Sequence, residues 1–276
     1  MRRSRPCGSL ALAVLAFSGA AAGSAAAVTG PAPNDVPEFV ECLKLPAHGQ
    51  AAATGRFKSS ACDSAPAVAG TGKYEAFEVE PGEGEYTSTI GKAAFLEGAN
   101  GSRIECKAMT ASGLLTGPKT GMATQTYTHC QPRSMPLGCQ NYGSATGVIV
   151  TNPLETEVAF VDAAKKEVGE DFKAAPPNTD IEEFECGGSG AGPNFIFLTG
   201  SVIGKLTPID SAKAGPFAIS PTAKKGVNAI SSFEGQAPDT LVTELCAPSC
   251  TSEASAEVAG IKDQFASAVE LKALEG

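Results

Sequence analysis

Eight cysteines, Cys42, Cys62, Cys106, Cys130, Cys139, Cys186, Cys246 and Cys250, constrain this chain more than any other feature. An even set in an exported chain reads as disulfides, here up to four, and on the order of a hundred connectivities satisfy it. Metal thiolates are the competing use. No C-x-x-C pair occurs, and His48 and His129 are the only imidazoles, so the residues for a zinc site are not assembled in the sequence.

Disulfides require an oxidising compartment, and the N-terminus predicts one. Arg2, Arg3 and Arg5 precede a short apolar run, Gly8 to Phe17, and small residues follow with A-x-A sites ending at Ala22 or Ala27. This is the pattern of a secretory signal peptide, here residues 1–27. The ninth cysteine, Cys7, precedes the apolar run, so no lipobox forms. No later stretch reaches the roughly 20 apolar residues of a spanning helix, and no membrane span is expected in the mature chain. Cleavage after Ala27 leaves 249 of 276 residues and removes three arginines, which takes the formal net charge from −9 to −12. A chain this acidic repels phosphate backbones and anionic lipid, so nucleic acid and membrane surfaces are poor partners. The expected localisation is secreted or extracellular, with association to the cell envelope left open.

Residues 28–37, VTGPAPNDVP, form a Pro/Gly-rich lead without periodicity. Beyond it, residues 38–276 read as a single β-rich domain, within which 38–85 can form a small N-terminal subdomain. KYEAFEVE sets Phe77 and Val79 against Glu78 and Glu80, and SRIEC sets Ile104 and Cys106 against Glu105. GVIVTNPLETEVAFV reads as two strands joined by a turn at Asn152–Pro153. NFIFLTGSVIG is apolar at consecutive positions, as in a strand covered on both faces. The 31 glycines and 19 prolines punctuate these runs at the spacing of an antiparallel sandwich or barrel. The predicted fold is therefore all-β and disulfide-stapled, with little helix. The tail, 251–274, is the ambiguous part. Val258, Ile261, Phe265 and Val269 fit a helical stripe, whereas VELKA alternates with period two and favours a final strand over about 267–274.

A short motif recurs three times. VEC (40–42), IEC (104–106) and FEC (184–186) are each followed, eight to eleven residues on, by ATG (53–55), LTG (115–117) or LTG (198–200). The simplest picture is a strand, a Thr-Gly corner and a return strand, stapled in the first two units by Cys42–Cys62 and Cys106–Cys130.

No catalytic constellation assembles from the sequence. GLLTGPKTG (113–121) misses the phosphate-loop pattern G-x-x-x-x-G-K-[ST] by one residue, Pro118. Proline has no N–H to offer a phosphate, and the Thr/Tyr-rich stretch that follows alternates like a strand, so a hairpin turn is expected. Serine hydrolase chemistry lacks a G-x-S-x-G elbow, and GGSGAG (187–192) is a Gly-rich loop. His129, next to Cys130, reads as a polar neighbour of a disulfide. Glu155, Glu157 and Asp162 are available carboxylates, but on an alternating strand they read as a solvated face. EVGEDF (167–172) and EPGEGE (80–85) depart from the calcium-loop pattern and read as charged turns. Asn100 begins an N-G-S glycosylation sequon.

Several phrases taken together, SRIECKAMTASGLLTGPKT, TNPLETEVAFVDAAKKEVGEDF, FECGG, LTGSVIGKLTPID, GKYEAFEVEPG and FEGQAPDTL, resemble a family of uncharacterised exported β-rich, cysteine-containing proteins of soil actinobacteria. The resemblance covers about residues 38–245. It implies a β-rich extracellular protein and transfers no catalytic residue, ligand, metal or cofactor. The functional expectation is an exported, non-catalytic binding or structural module with an extracellular or envelope ligand of unknown chemistry. The alternatives are a secreted carbohydrate-active hydrolase with a carboxylate pair, and an inhibitor presenting CAPSC (246–250) as a rigid loop.

Overall fold

The computed structural model describes residues 37–46, 54–62, 64, 66–135, 137–187, 195–211, 215–246 and 249–273. The predicted signal segment, the lead up to residue 36 and His48 lie outside the described residues. Within them the chain forms twenty strands, one 3₁₀ turn and no α-helix. In chain order the strands are β1 (Glu38–Lys44), β2 (Tyr74–Glu78), β3 (Glu85–Ile90), β4 (Ala94–Gly98), β5 (Arg103–Cys106), β6 (Ala108–Leu115) and β7 (Thr120–Thr128). They continue with β8 (Gln131–Pro132), β9 (Cys139–Gln140), β10 (Val148–Val150), β11 (Leu154–Asp162), β12 (Glu167–Ala174) and β13 (Asp180–Cys186). The last are β14 (Phe195–Thr199), β15 (Ser201–Thr207), β16 (Phe217–Pro221), β17 (Val242–Cys246), β18 (Cys250–Val258), β19 (Ile261–Phe265) and β20 (Val269–Lys272).

Eight strands close into an antiparallel barrel. β7, β11, β12, β15, β16, β19, β3 and β6 lie side by side in that order, and β6 pairs back onto β7 from Ala108↔Thr128 to Leu115↔Gly121. Closure leaves this ring without an unpaired edge. A second sheet has the order β8-β5-β4-β18-β17-β14-β13-β9. The two orders match because β3 runs on into β4, β5 into β6, β7 into β8, β12 into β13, β14 into β15 and β18 into β19, across connections of one to five residues. Barrel strands are thus prolonged, in the same sequence of neighbours, into a second ring stacked on the first. Its two edges approach where Cys139 N of β9 donates to the O of Cys130, the residue before β8, at 2.8 Å.

Alternation explains what fills the interior. On β7, Gly121, Ala123, Gln125 and Tyr127 are buried, and Met122, Thr124, Thr126 and Thr128 lie on the more exposed face. Leu154, Thr156 and Val158 of β11 and Val168, Glu170 and Phe172 of β12 turn inward in the same way. The barrel's outer end is closed by the third sheet, β2-β1-β20. From β1, Phe39 packs edge-on against Phe217, with centroids 5.7 Å apart, and also against Phe265 at 5.7 Å. Burying rings of this size contributes on the order of 2 kcal/mol each. The main core runs from Phe39 to Ala273. A satellite cluster of Val40, Cys62 and Ala76, with Cys42, Phe57 and Tyr74 packed against it, sits in the N-terminal part.

All eight cysteines pair: Cys42–Cys62, Cys106–Cys130, Cys139–Cys186 and Cys246–Cys250. Cys106–Cys130 and Cys139–Cys186 hold the two sides of the seam between β8 and β9. Cys246–Cys250 closes the tip of the β17–β18 hairpin.

Four sequence expectations need correction. Asn152–Pro153 does not reverse the chain. β10 and β11 pair with the same edge of β7, and the register slips by one residue between Val150↔Thr126 and Leu154↔Ala123, so the pair forms a bulge in one long strand. NFIFLTGSVIG is two strands in two rings, split at Gly200. There φ is +93° and a Cβ would lie 2.1 Å from Thr240 O, which only glycine tolerates. EVGEDF is not a turn but most of β12, with Glu170 facing the interior. The three repeat units are not equivalent either: LTG at 115–117 opens the β6–β7 hairpin loop, whereas LTG at 198–200 is the crossing between rings. Where described, the tail carries the strands β18, β19 and β20 and no helix, and β20 falls inside the predicted 267–274.

Candidate ligand-binding site

The second ring has a hollow interior with an open mouth. Its inward positions follow from period two on each strand: Leu96 and Gly98 on β4, Ile104 and Cys106 on β5, Glu182, Phe184 and Cys186 on β13, Ile196 and Leu198 on β14, Thr243 and Leu245 on β17. Towards the mouth these side chains line a cup of about 370 Å³, completed by Met135 and Leu137 from the β8–β9 connection. That is within the size range of small-molecule sites. Its apolar wall is open to solvent, since Met135, Leu137 and Leu245 are 40–49% exposed. The rim is polar. Glu253 accepts from Asn100 N at 3.0 Å and Ser102 Oγ at 2.9 Å, and a Cβ on Gly98 would collide with both Glu253 and Ser102. Arg103 stacks on the Phe95 ring at 3.5 Å and pairs with Glu97 at 3.4 Å.

Below the cup, at the junction of the rings, lies a smaller cavity of about 40 Å³. Leu96 and Ile104 line both spaces and form the partition between them. Around the small cavity are two acids, Glu182 and Glu257, together with Tyr127, Gln125 and Thr151. Glu182 is 8% exposed, and its Oε2 has no hydrogen-bond partner among the described residues. Burial, aided by the nearby Glu257 charge, pushes its carboxyl up to about 8. Burial pushes Glu257 up to about 7, against a hydrogen bond with Tyr127 that lowers it. Tyr127 Oη lies 2.6 Å from Gln125 Oε1 and 3.0 Å from Glu257 Oε1. Tyr127 donates its single hydroxyl proton to one of these two acceptors at a time.

A second pair of acids, Glu170 and Asp263, lies inside the closed barrel. Asp263 is pushed up to about 6 by burial, and Ser88 hydrogen-bonds to it. Glu170 is raised by burial and by the Asp263 charge, with Thr156 donating to it. This pair lies within the first barrel, whose outer end is sealed by the aromatic cluster.

Glu155 and Glu157 stand on the outer face of β11, and Glu157 faces Lys173 at 3.9 Å. Asp162 caps the 3₁₀ turn Ala163–Lys165 and pairs with Lys165 at 2.6 Å. These three carboxylates do not converge. His129 is exposed beside Cys130, with Nδ1 3.3 Å from Thr128 Oγ1. In the hairpin loop of GLLTGPKTG, Pro118 O accepts from Phe39 N at 2.7 Å and Lys119 O from Val158 N at 2.8 Å, so the loop is a brace between β1 and β11. EPGEGE is a turn between β2 and β3, as expected. Glu244, Cys246 and Cys250 cluster closely enough for a metal, but the two sulfurs are joined to each other and offer no thiolate. In CAPSC, residues 247 and 248 lie outside the described residues.

Glu182 and Glu257 carry no motif, yet Glu182 had a signal: counting back by two from Cys186 and Phe184 places it on their inward face. Among the described residues no helix is long and apolar enough to cross a membrane. Comparisons of the chain with protein-family models, curated proteins and solved structures give no match.

Proposed function

We propose that this is an exported binding module that takes a small, largely apolar ligand in the cup of its second ring. One observation carries the reading: an open cavity of about 370 Å³ walled by Leu96, Ile104, Ile196 and Leu245 inside a ring stapled by disulfides. A rigid, preformed apolar cavity binds with little ordering cost. Export rests on the signal pattern and the four disulfides. The uncharged fluorescent probe N-phenyl-1-naphthylamine tests it. Saturable, one-to-one binding is expected, weakened at least about tenfold by Leu245→Glu, which places a charge on the apolar wall. Absence of saturable binding, or binding indifferent to that substitution, overturns the reading.

The proximity of Glu182 and Glu257 favours a second reading, hydrolysis by a carboxylate pair. It is the weaker one, because the 40 Å³ around the acids does not admit a sugar ring. Turnover of fluorogenic glycosides that is lost in Glu182→Gln would reverse this order.

A further inference from the structure

We infer that the floor of the cup is a recognition site for a primary ammonium group, so that the ligand class is an amphiphilic amine with its apolar body among Leu96, Ile104, Ile196 and Leu245. The inference rests on the binding reading above and adds the identity of the ligand's polar end.

Three features of the small cavity point to this chemistry. Its two ionisable acids, Glu182 and Glu257, face a lining without a lysine, arginine or histidine. Glu182 Oε2 is buried and unpartnered, which costs free energy until a donor arrives. Its volume, about 40 Å³, holds roughly two or three water-sized groups, enough for a head group and too little for a ring. An ammonium has three N–H donors and no acceptor, so it suits a cavity lined by the acceptor oxygens of Glu182, Glu257 and Gln125. A hydroxyl offers a single donor, and a carboxylate head meets like charge. At the rim Glu253 adds a carboxylate, and Arg103, the cation among the cup's lining residues, is paired with Glu97 at 3.4 Å.

Leu96 and Ile104 stand between cup and cavity, and a ligand reaching the acids must part them.

Competition against N-phenyl-1-naphthylamine at pH 7 with n-octylamine, n-octanol and octanoate isolates the polar end, because the three share one tail. Octylamine is expected to displace the probe at concentrations at least about tenfold lower than octanol, with octanoate weakest. The amine-to-alcohol ratio is expected to fall towards one in Glu182→Gln and in Glu257→Gln, with thermal melts reporting that each variant is folded. Should either variant fail to fold, the wild-type ratio still decides. Probe binding with equal octylamine and octanol affinities overturns the ammonium assignment and leaves the cup standing. Failure of the probe itself to bind overturns the cup.

Discussion

At the scale of single residues, the interior is unusual for the acids it holds. Glu182 is pushed up to about 8, Glu257 to about 7 and Asp263 to about 6, chiefly by burial, and Glu170 is raised by the same cause. In the unfolded chain such groups titrate near 4. The folded protein therefore holds more protons than the unfolded one between about pH 4 and pH 8, and the sign of the linkage is fixed. Stability from these groups is fully present below the unfolded value and is lost as pH rises through the folded values. Urea unfolding should give higher stability at pH 5 than at pH 8.5 by a few kcal/mol, and Glu182→Gln should shrink that difference. Equal stability at both pH values would contradict the burial of these acids. Sequence reasoning placed acids on outer faces correctly for Glu155 and Glu157, which alternate with inward Leu154, Thr156 and Val158. It missed Glu257, because in SEASAEV the apolar Ala254, Ala256 and Val258 alternate with Glu253, Ser255 and Glu257, so period two assigns Glu257 to the polar face.

At the scale of elements, the disulfides and the corners between rings decide how the strands are held. The Cys42–Cys62 and Cys106–Cys130 pairings were legible as short-range staples. Cys139–Cys186 was not, since it joins strands that become neighbours only when the second ring forms. That bond also spans the longest separation, 47 residues, against 4 for Cys246–Cys250. By loop entropy, removing Cys139–Cys186 as a double alanine variant should cost about 4 kcal/mol, and removing Cys246–Cys250 about 2 kcal/mol. Denaturation midpoints of the two variants check the order, and a reversed order would show that Cys139–Cys186 does not clamp the seam. The ring-to-ring crossings were hidden for a related reason. Gly200 and the bulge at Asn152–Pro153 resemble ordinary turn punctuation, and only the partner strands reveal whether a chain reverses, shifts register or changes sheet.

At the scale of the whole molecule, the predicted all-β, disulfide-stapled class holds, and its particular form is two stacked rings. The outer end of the first ring is plugged by Phe39, Phe217 and Phe265, and the cup of the second ring is open to solvent. Period-two alternation made the strands visible in the sequence, but the cup comes from residues scattered between Leu96 and Glu253, and no spacing rule links them. The near-miss phosphate loop illustrates the converse: a local match to a functional pattern became a brace once its carbonyls found Phe39 and Val158. The central claim is that ligand enters this mouth and reaches the buried acids. A crystal structure of the protein soaked with n-octylamine tests it most directly. The expected result is an alkyl chain along Leu96, Ile104, Ile196 and Leu245 with its nitrogen within hydrogen-bonding distance of Glu182. Octylamine bound only on an outer face, or an empty cup at saturating concentration, would contradict it.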